Sequence, residues 1–329
     1  MRQYLDAVKK ILDEGTRKEN RTGVDTISTF GVHYNINLQQ GFPLLTTKAI
    51  NWKNIVVEML WFLSGQTDIS ILKKHGCKFW DAWADPETGK VPSAYGNFWR
   101  QFPVHREYYQ GQSVWRDPVF NDQLKWVVDI LKRDPMSRRM VVSAWAPGNA
   151  QTSKLPPCHC MFVVNVQNES PRDFCPRCGF QTCVREQETH CDKCSWSIGG
   201  RQYLCLHLTQ RSCDIALGVP YNIASYALLM HLLSRFSGIP VGMFSHTLVD
   251  AHAYTSKPDG QMAEYDHVPG LREQLSRETR PLPKLVIDRA VQGLDDVEKL
   301  LTFSTEDLMT FFRLEGYDPH PAINFKVAV

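Results

Sequence analysis

Two CxxC pairs, Cys175-Pro-Arg-Cys178 and Cys191-Asp-Lys-Cys194, stand 12 residues apart. Four thiolates at that spacing close on one tetrahedral zinc, as in zinc ribbons, and leave no coordination position for water. The metal they imply is structural, holding a polar segment too small to build its own core. Cys183 or His190 is near enough in sequence to replace one ligand. Two disulfides or plain surface thiols are the alternatives, which fit a cytosolic chain poorly. A second stretch, Leu155-Pro-Pro-Cys158-His159-Cys160, places a thiol and an imidazole after two prolines at the entrance to a strand. Taken alone, such a cysteine is more often inert packing than a nucleophile.

Arginine gathers with small polar residues in Gln210-Arg211-Ser212-Cys213-Asp214, in Ser137-Arg138-Arg139 and in Asn20-Arg21-Thr22-Gly23. Guanidinium forks bind phosphate in bidentate fashion, so together these point to a phosphorylated small substrate. Each in isolation reads as a surface salt bridge. Glu58 lies within an almost wholly apolar run, Trp52 to Leu63. Burial there raises a carboxyl's pKa toward the range useful for proton exchange. A buried acid paired with Lys or Arg is the other possibility.

Several elements must position these groups. Leu5, Val8, Ile11 and Leu12 share one face of an amphipathic helix that stops at Gly15. From Ile27 to Leu38 the period falls to two, with Val32, Tyr34, Ile36 and Leu38 on one side of a strand. The run Trp52 to Leu63 is a buried helix. Helix, strand, strand, strand and helix follow over Asp122 to Lys132, Met140 to Trp145, Met161 to Val166, Tyr203 to Thr209, and Ile223 to Phe236. The chain reads as one α+β domain, 1–329. Over residues 168–200 the apolar alternation gives way to Pro, Arg, Asp, Gln and Cys, the texture of a module inserted at a hairpin tip.

A chain of 329 residues, 43% hydrophobic, can bury a large core. Its net charge of +2 gives no broad cationic field, which argues against nucleic acid as partner. Apolar stretches such as Met59 to Leu63 are far shorter than the roughly 18 to 20 residues that span a bilayer. No signal peptide is visible, so a cytoplasmic protein is expected.

The motifs PCHC at 157–160, QRSCD at 210–214, GVPYNIASYALL at 218–229, SHTLVDAHAY at 245–254, SRR at 137–139 and EGYDPHPAI at 315–323 together resemble thymidylate synthases. DEGTRKENRTG near the N-terminus and the helix VEMLWFLSG extend the resemblance to the whole chain outside the cysteine-rich insert. It implies a mixed sheet wrapped by helices and a homodimer packed through its sheets, with active sites shared between subunits. It implies that Cys158 adds to C6 of dUMP, so that C5 attacks the one-carbon unit of 5,10-methylenetetrahydrofolate. Arg211 is then the cation that favours the thiolate, and Glu58 the general acid and base; Tyr95 and His159 join the catalytic set. Arg21, Arg211 and Ser212 would hold the phosphate, with Arg138 and Arg139 from the other subunit. His252 and Tyr254 would meet the ribose hydroxyl. Asn222 would read the uracil edge, where enzymes acting on cytosine nucleotides carry Asp. Trp80, Leu155, Asp214, Gly218, Tyr221 and Val329 would line the folate.

Departures from the family pattern bear on the product. Pro92-Ser93-Ala94-Tyr95-Gly96 replaces the usual GPVYG and is similar to phage nucleotide hydroxymethylases. Thr209 stands for Tyr, Val249 for Gly, and Ser256-Lys257 for Asn-His. Water adding to the exocyclic methylene would give 5-hydroxymethyl-dUMP; hydride from the folate would give dTMP. Ser93 as a water-orienting group narrowly favours the hydroxymethylase, and such chemistry suits a phage gene. Retained Trp80 and Val329, expected to shield the methylene, favour the synthase. A synthase-like RNA-binding regulator is a third reading, against which Cys158, Glu58, Arg211 and Asn222 all speak.

Overall fold

The computed structural model describes all residues except 105–106, 110–111, 115–118, 151–152, 169–192, 195–200 and 329. Helix α1 (Arg2–Glu14) buries Tyr4, Ala7, Val8 and Ile11 as one stripe. At Gly15 a Cβ would stand 2.3 Å from Ile11 O and 2.6 Å from Ile27 Cγ2. Glycine ends this helix because helix and strand approach closely; its φ of −70° asks for no special residue.

Strands β1 (Thr16–Lys18) and β2 (Asp25–Asn37) form a hairpin. Helix α2 (Trp52–Ser64) is capped by Asn51, whose side chain accepts from Asn54 N–H. Short α3 (Ser70–Lys74) and α4 (Tyr95–Arg100) precede β3 (Phe102–Val104), β4 (Glu107–Tyr109), β5 (Gln112–Val114) and β6 (Val119–Asn121). Asp122 caps α5 (Gln123–Arg133). Then come β7 (Val141–Ser143), α6 (Pro147–Ala150), β8 (His159–Asn168), β9 (Gln202–Asp214), α7 (Gly218–Ser237) and β10 (Val241–Thr255). The chain continues through α8 (Val268–Ser276), β11 (Lys284–Ile287), α9 (Leu294–Thr302), α10 (Thr305–Thr310) and β12 (Phe312–Glu315).

A six-stranded sheet runs in the order β1-β2-β10-β9-β8-β7. All its pairs are antiparallel except β9 with β10, which are joined through α7 because parallel neighbours need a crossover. The core lies between one face of the sheet and helices α1, α2, α5 and α7, and Trp61, Trp99, Tyr226, Phe162 and Phe244 are buried in it. Truncating one of the large aromatics to alanine costs about 3 to 5 kcal/mol. On the opposite face Val141, Met161 and Met243 are exposed. Among the described residues no helix is long and apolar enough to cross a membrane.

Side-chain alternation reverses at one level of four neighbouring strands. In β10 the buried set passes from Phe244, His246 and Leu248 to Ala251 and Ala253, and in β9 from Leu204, Leu206, Leu208 and Gln210 to Cys213. β8 shifts register between His159 and Met161. In β2 Gly31 adopts φ +77° with no atom within 4 Å of a Cβ position, so backbone conformation and not space requires glycine there. The reversal re-aims the strand ends that carry Cys158, Arg211, Ser212 and His252.

The helices and strands read from sequence recur with small boundary changes. Gln210 to Asp214, expected between strand and loop, are instead the last turn-facing residues of β9 itself. β8 and β9 pair as far as Asn168 opposite Gln202, so the chain between them leaves and re-enters the sheet at one point. Cys175, Cys178 and Cys191 lie outside the described residues, while Lys193 and Cys194 form a turn.

Candidate active site

Cys158 immediately precedes β8 and lies against the end of β9. Arg211 N–H donates to Cys158 O at 2.8 Å. The Arg211 side chain turns back on the same segment: Nε donates to Pro157 O at 3.0 Å and Nη2 to Pro156 O at 2.7 Å, and Nη2 comes within 3.9 Å of Cys158 Sγ. The Trp145 ring lies 5.5 Å from the guanidinium. Cys158 N–H donates to Tyr95 Oη at 3.1 Å. The prolines therefore matter through their carbonyls, which fix a cation beside the thiol. Burial pushes the Cys158 thiol up; Arg211 and, further off, Arg21 pull it down. Burial outweighs these, so Arg211 favours the thiolate, as expected from the sequence, but only moderates the rise.

Glu58 projects from α2. Its Oε1 accepts from Trp80 Nε1–H at 2.8 Å, and burial raises its pKa to about 7, moderated by that hydrogen bond. Among the described residues no Lys or Arg forms an ion pair with it. Trp80 packs against Trp61, Phe62 and Tyr95 with ring centroids 5.5, 5.9 and 5.7 Å away. This aromatic wall explains the shift: it lowers the local polarity and, among the described residues, supplies a single donor. Tyr95 joins the two halves, touching Trp80 on one side and Cys158 N on the other.

His159 stacks on Tyr95 at 4.5 Å and 8°. Burial pushes its pKa down to about 4 against a hydrogen bond with Asn222, so the ring is neutral at pH 7. Asn222 Oδ1 accepts from Gln210 Nε2 at 3.0 Å. Asp214 Oδ1 accepts from Ala216 N at 2.9 Å and Leu217 N at 3.2 Å, closing the turn into α7, whose first residue is Gly218. His252 and Tyr254 meet edge to face on β10 at 5.6 Å. Burial and the Asp214 charge push Tyr254 up to about 12. Arg21, exposed in the β1–β2 connection, acts on both Cys158 and Tyr254. Tyr221 Oη accepts from Asn51 N at 3.4 Å, and Leu155 O accepts from Ser93 Oγ at 3.2 Å.

Within one chain these residues converge, with exceptions. Arg138 and Arg139 are exposed on the segment entering β7, and neither is among the charges that shift Cys158. Val329 lies outside the described residues. Sequence reasoning gave no role to Tyr34, His246 or Gln210, which reach Asn222 across the sheet; a histidine in the buried phase of a strand was the available signal. After β10 the chain loops out and returns so that His267 N–H donates to Tyr254 O at 3.0 Å, with His267 Nδ1 3.8 Å from Asp214 Oδ1.

A thiol at a strand end beside a guanidinium, joined through Tyr95 and Trp80 to a carboxyl whose pKa is about 7, is a combination suited to group transfer. A thymidylate synthase family model matches residues 2–329. A thymidylate synthase from Haloferax volcanii is 38% identical over 375 aligned positions, covering 98% of this chain and 96% of that protein. The chain belongs to the thymidylate synthase family.

Proposed function

We propose that this protein makes dTMP from dUMP. The observation that carries the reading is the connection, through Tyr95 and Trp80, of a thiol limited in its pKa rise by Arg211 with a carboxyl whose pKa is about 7. Cys158 sulfur bonds C6 of the uracil ring, and the displaced electron pair makes C5 nucleophilic. Glu58 exchanges a proton near neutrality, removing the one on C5 after the new carbon bond forms. Arg21, Arg211 and Ser212 bind the phosphate, completed by Arg138 and Arg139 of a second protomer across the exposed sheet face. His252 and Tyr254 bind the ribose, and Asn222 reads the base. Trp80, Leu155, Asp214, Gly218, Tyr221 and Val329 line the place for methylenetetrahydrofolate, which supplies the one-carbon unit and the hydride. The donor set fits: a carboxylate, aromatic rings and an apolar wall suit a pterin.

The hydroxymethylase reading depends on Ser93 ordering a water. Ser93 is buried and its hydroxyl donates to Leu155 O, which supports the synthase outcome. Purified protein given dUMP and methylenetetrahydrofolate should yield dTMP and the near-ultraviolet absorbance of dihydrofolate. Formation of 5-hydroxymethyl-dUMP without that absorbance would overturn the assignment, and Ser93→Gly would then test the water. Absence of a Cys158 adduct with a fluorinated dUMP analogue, together with tight RNA binding, would favour the regulator.

We also infer a structural zinc held by Cys175, Cys178, Cys191 and Cys194 in the inserted module, 168–200. The sequence spacing of the two CxxC pairs supports it. Metal analysis should find about one zinc per chain, lost in Cys175→Ser with turnover retained.

A further inference from the structure

A row of polar side chains crosses the core face of the sheet where its neighbours are apolar. Tyr34 on β2 and His246 on β10 are directly paired residues, and Gln210 lies beside them on β9. Tyr34 Oη lies 2.8 Å from His246 Nδ1, His246 Nε2 lies 3.1 Å from Gln210 Oε1, and Gln210 Nε2 donates to Asn222 Oδ1 at 3.0 Å. Tyr34, His246 and Gln210 retain 7%, 0% and 2% exposure, so the first two links are shielded from water, while the link to half-buried Asn222 is partly so. Buried polar groups of this kind persist only when paired.

The direction of every bond follows from one backbone atom. Ser212 O can only accept, and Gln210 Nε2 donates to it at 3.1 Å. That fixes the Gln210 amide, with its oxygen toward His246. His246 Nε2 must then carry the proton. Burial holds His246 well below the usual histidine range, so it is neutral, its Nδ1 is bare, and Tyr34 Oη–H donates there. At the other end, the second Gln210 N–H requires an acceptor, so Asn222 must present its oxygen inward.

We infer that Tyr34 and His246 are positioning residues for base selection: through Gln210 they hold the Asn222 amide with its NH₂ offered to the ligand, so that the site takes uracil and rejects cytosine. This rests on the dUMP reading. Uracil presents a carbonyl at C4 and cytosine an amino group, and an asparagine free to turn over would serve either. Turning it here sets the Asn222 NH₂ against the Gln210 NH₂, two donors facing in a part-buried place.

The test compares the dUMP:dCMP ratio of kcat/KM, with melting temperature, for the parent and for His246→Phe, His246→Gln and Tyr34→Phe. A parent that turns over no dUMP would remove the functional reading. Given an active parent, His246→Phe should lower the ratio by about tenfold or more, acting mainly through a raised KM for dUMP. His246→Gln, which offers an acceptor to Tyr34 and a donor to Gln210, should recover most of the loss. Tyr34→Phe should lower the ratio by about threefold, since Ser212 O still holds Gln210. Folded variants whose ratio stays within about twofold of the parent would overturn the inference. Should His246→Phe not fold, the unchanged or lowered ratio of Tyr34→Phe decides it.

Discussion

The strand-borne corner around Cys158 and the helix-borne pocket around Glu58 answer the same physical problem differently. Burial pushes both groups toward their neutral forms. At Cys158 the polypeptide places a guanidinium, braced by the carbonyls of Pro156 and Pro157, 3.9 Å from the sulfur. At Glu58, among the described residues, it places only the Trp80 N–H within an aromatic wall. Cys213 shows the outcome for a thiol deeper in the sheet, where burial raises the pKa much further. One region therefore moderates the rise of a buried thiol, and the other leaves a carboxyl whose pKa is about 7.

The strongest break of this contrast is Cys158→Ser, which should reduce turnover by on the order of 10³-fold or more and abolish the adduct with fluorinated dUMP, at nearly unchanged melting temperature. Glu58→Gln should cost about 10² to 10³-fold in kcat while nucleotide binding, read by calorimetry, persists. The same variant tests burial through stability. Because the folded pKa of about 7 exceeds the ordinary 4.5, the native state holds the proton more tightly. The contribution of Glu58 is full below the unfolded pKa and is lost as pH rises through about 7. Denaturant titrations from about pH 5 to about pH 8 should therefore show Glu58→Gln gaining on the parent by up to about 3 kcal/mol.

Smaller changes sharpen the comparison. Arg211→Gln removes the cation 3.9 Å from the sulfur, so alkylation of Cys158 by iodoacetamide should slow about tenfold, with its pH midpoint moving up; an unmoved midpoint would assign the control of this thiol elsewhere. Trp80→Phe keeps the wall and deletes the donor. That hydrogen bond lowers the Glu58 pKa, so its loss should move the Glu58 limb of the pH–rate profile upward by up to about one unit.

Much of this site was legible in the chain. PCHC and QRSCD named the thiol and its guanidinium, and an acid in an apolar helix announced Glu58 with its raised pKa. The bond from Trp80 to Glu58 was not legible, because 22 residues separate them and Trp80 read as a stacking surface. The longest strand, β10, carries histidines and an aspartate and reverses its alternation midway, which hides a period of two. His267 escaped for another reason: a loop of unpredictable length returns it to Tyr254.

By itself the sequence determined the α+β class, the principal helices and strands, and the residue types able to do the chemistry, since periodicity and motif spacing are local properties of a chain. Only the tertiary structure decided the balance at Cys158, the Trp80 donor on Glu58 and the row from Tyr34 to Asn222. Each of these depends on distances between strands and helices remote in sequence, and the strength of a charge or hydrogen bond is set by how much water those neighbours exclude.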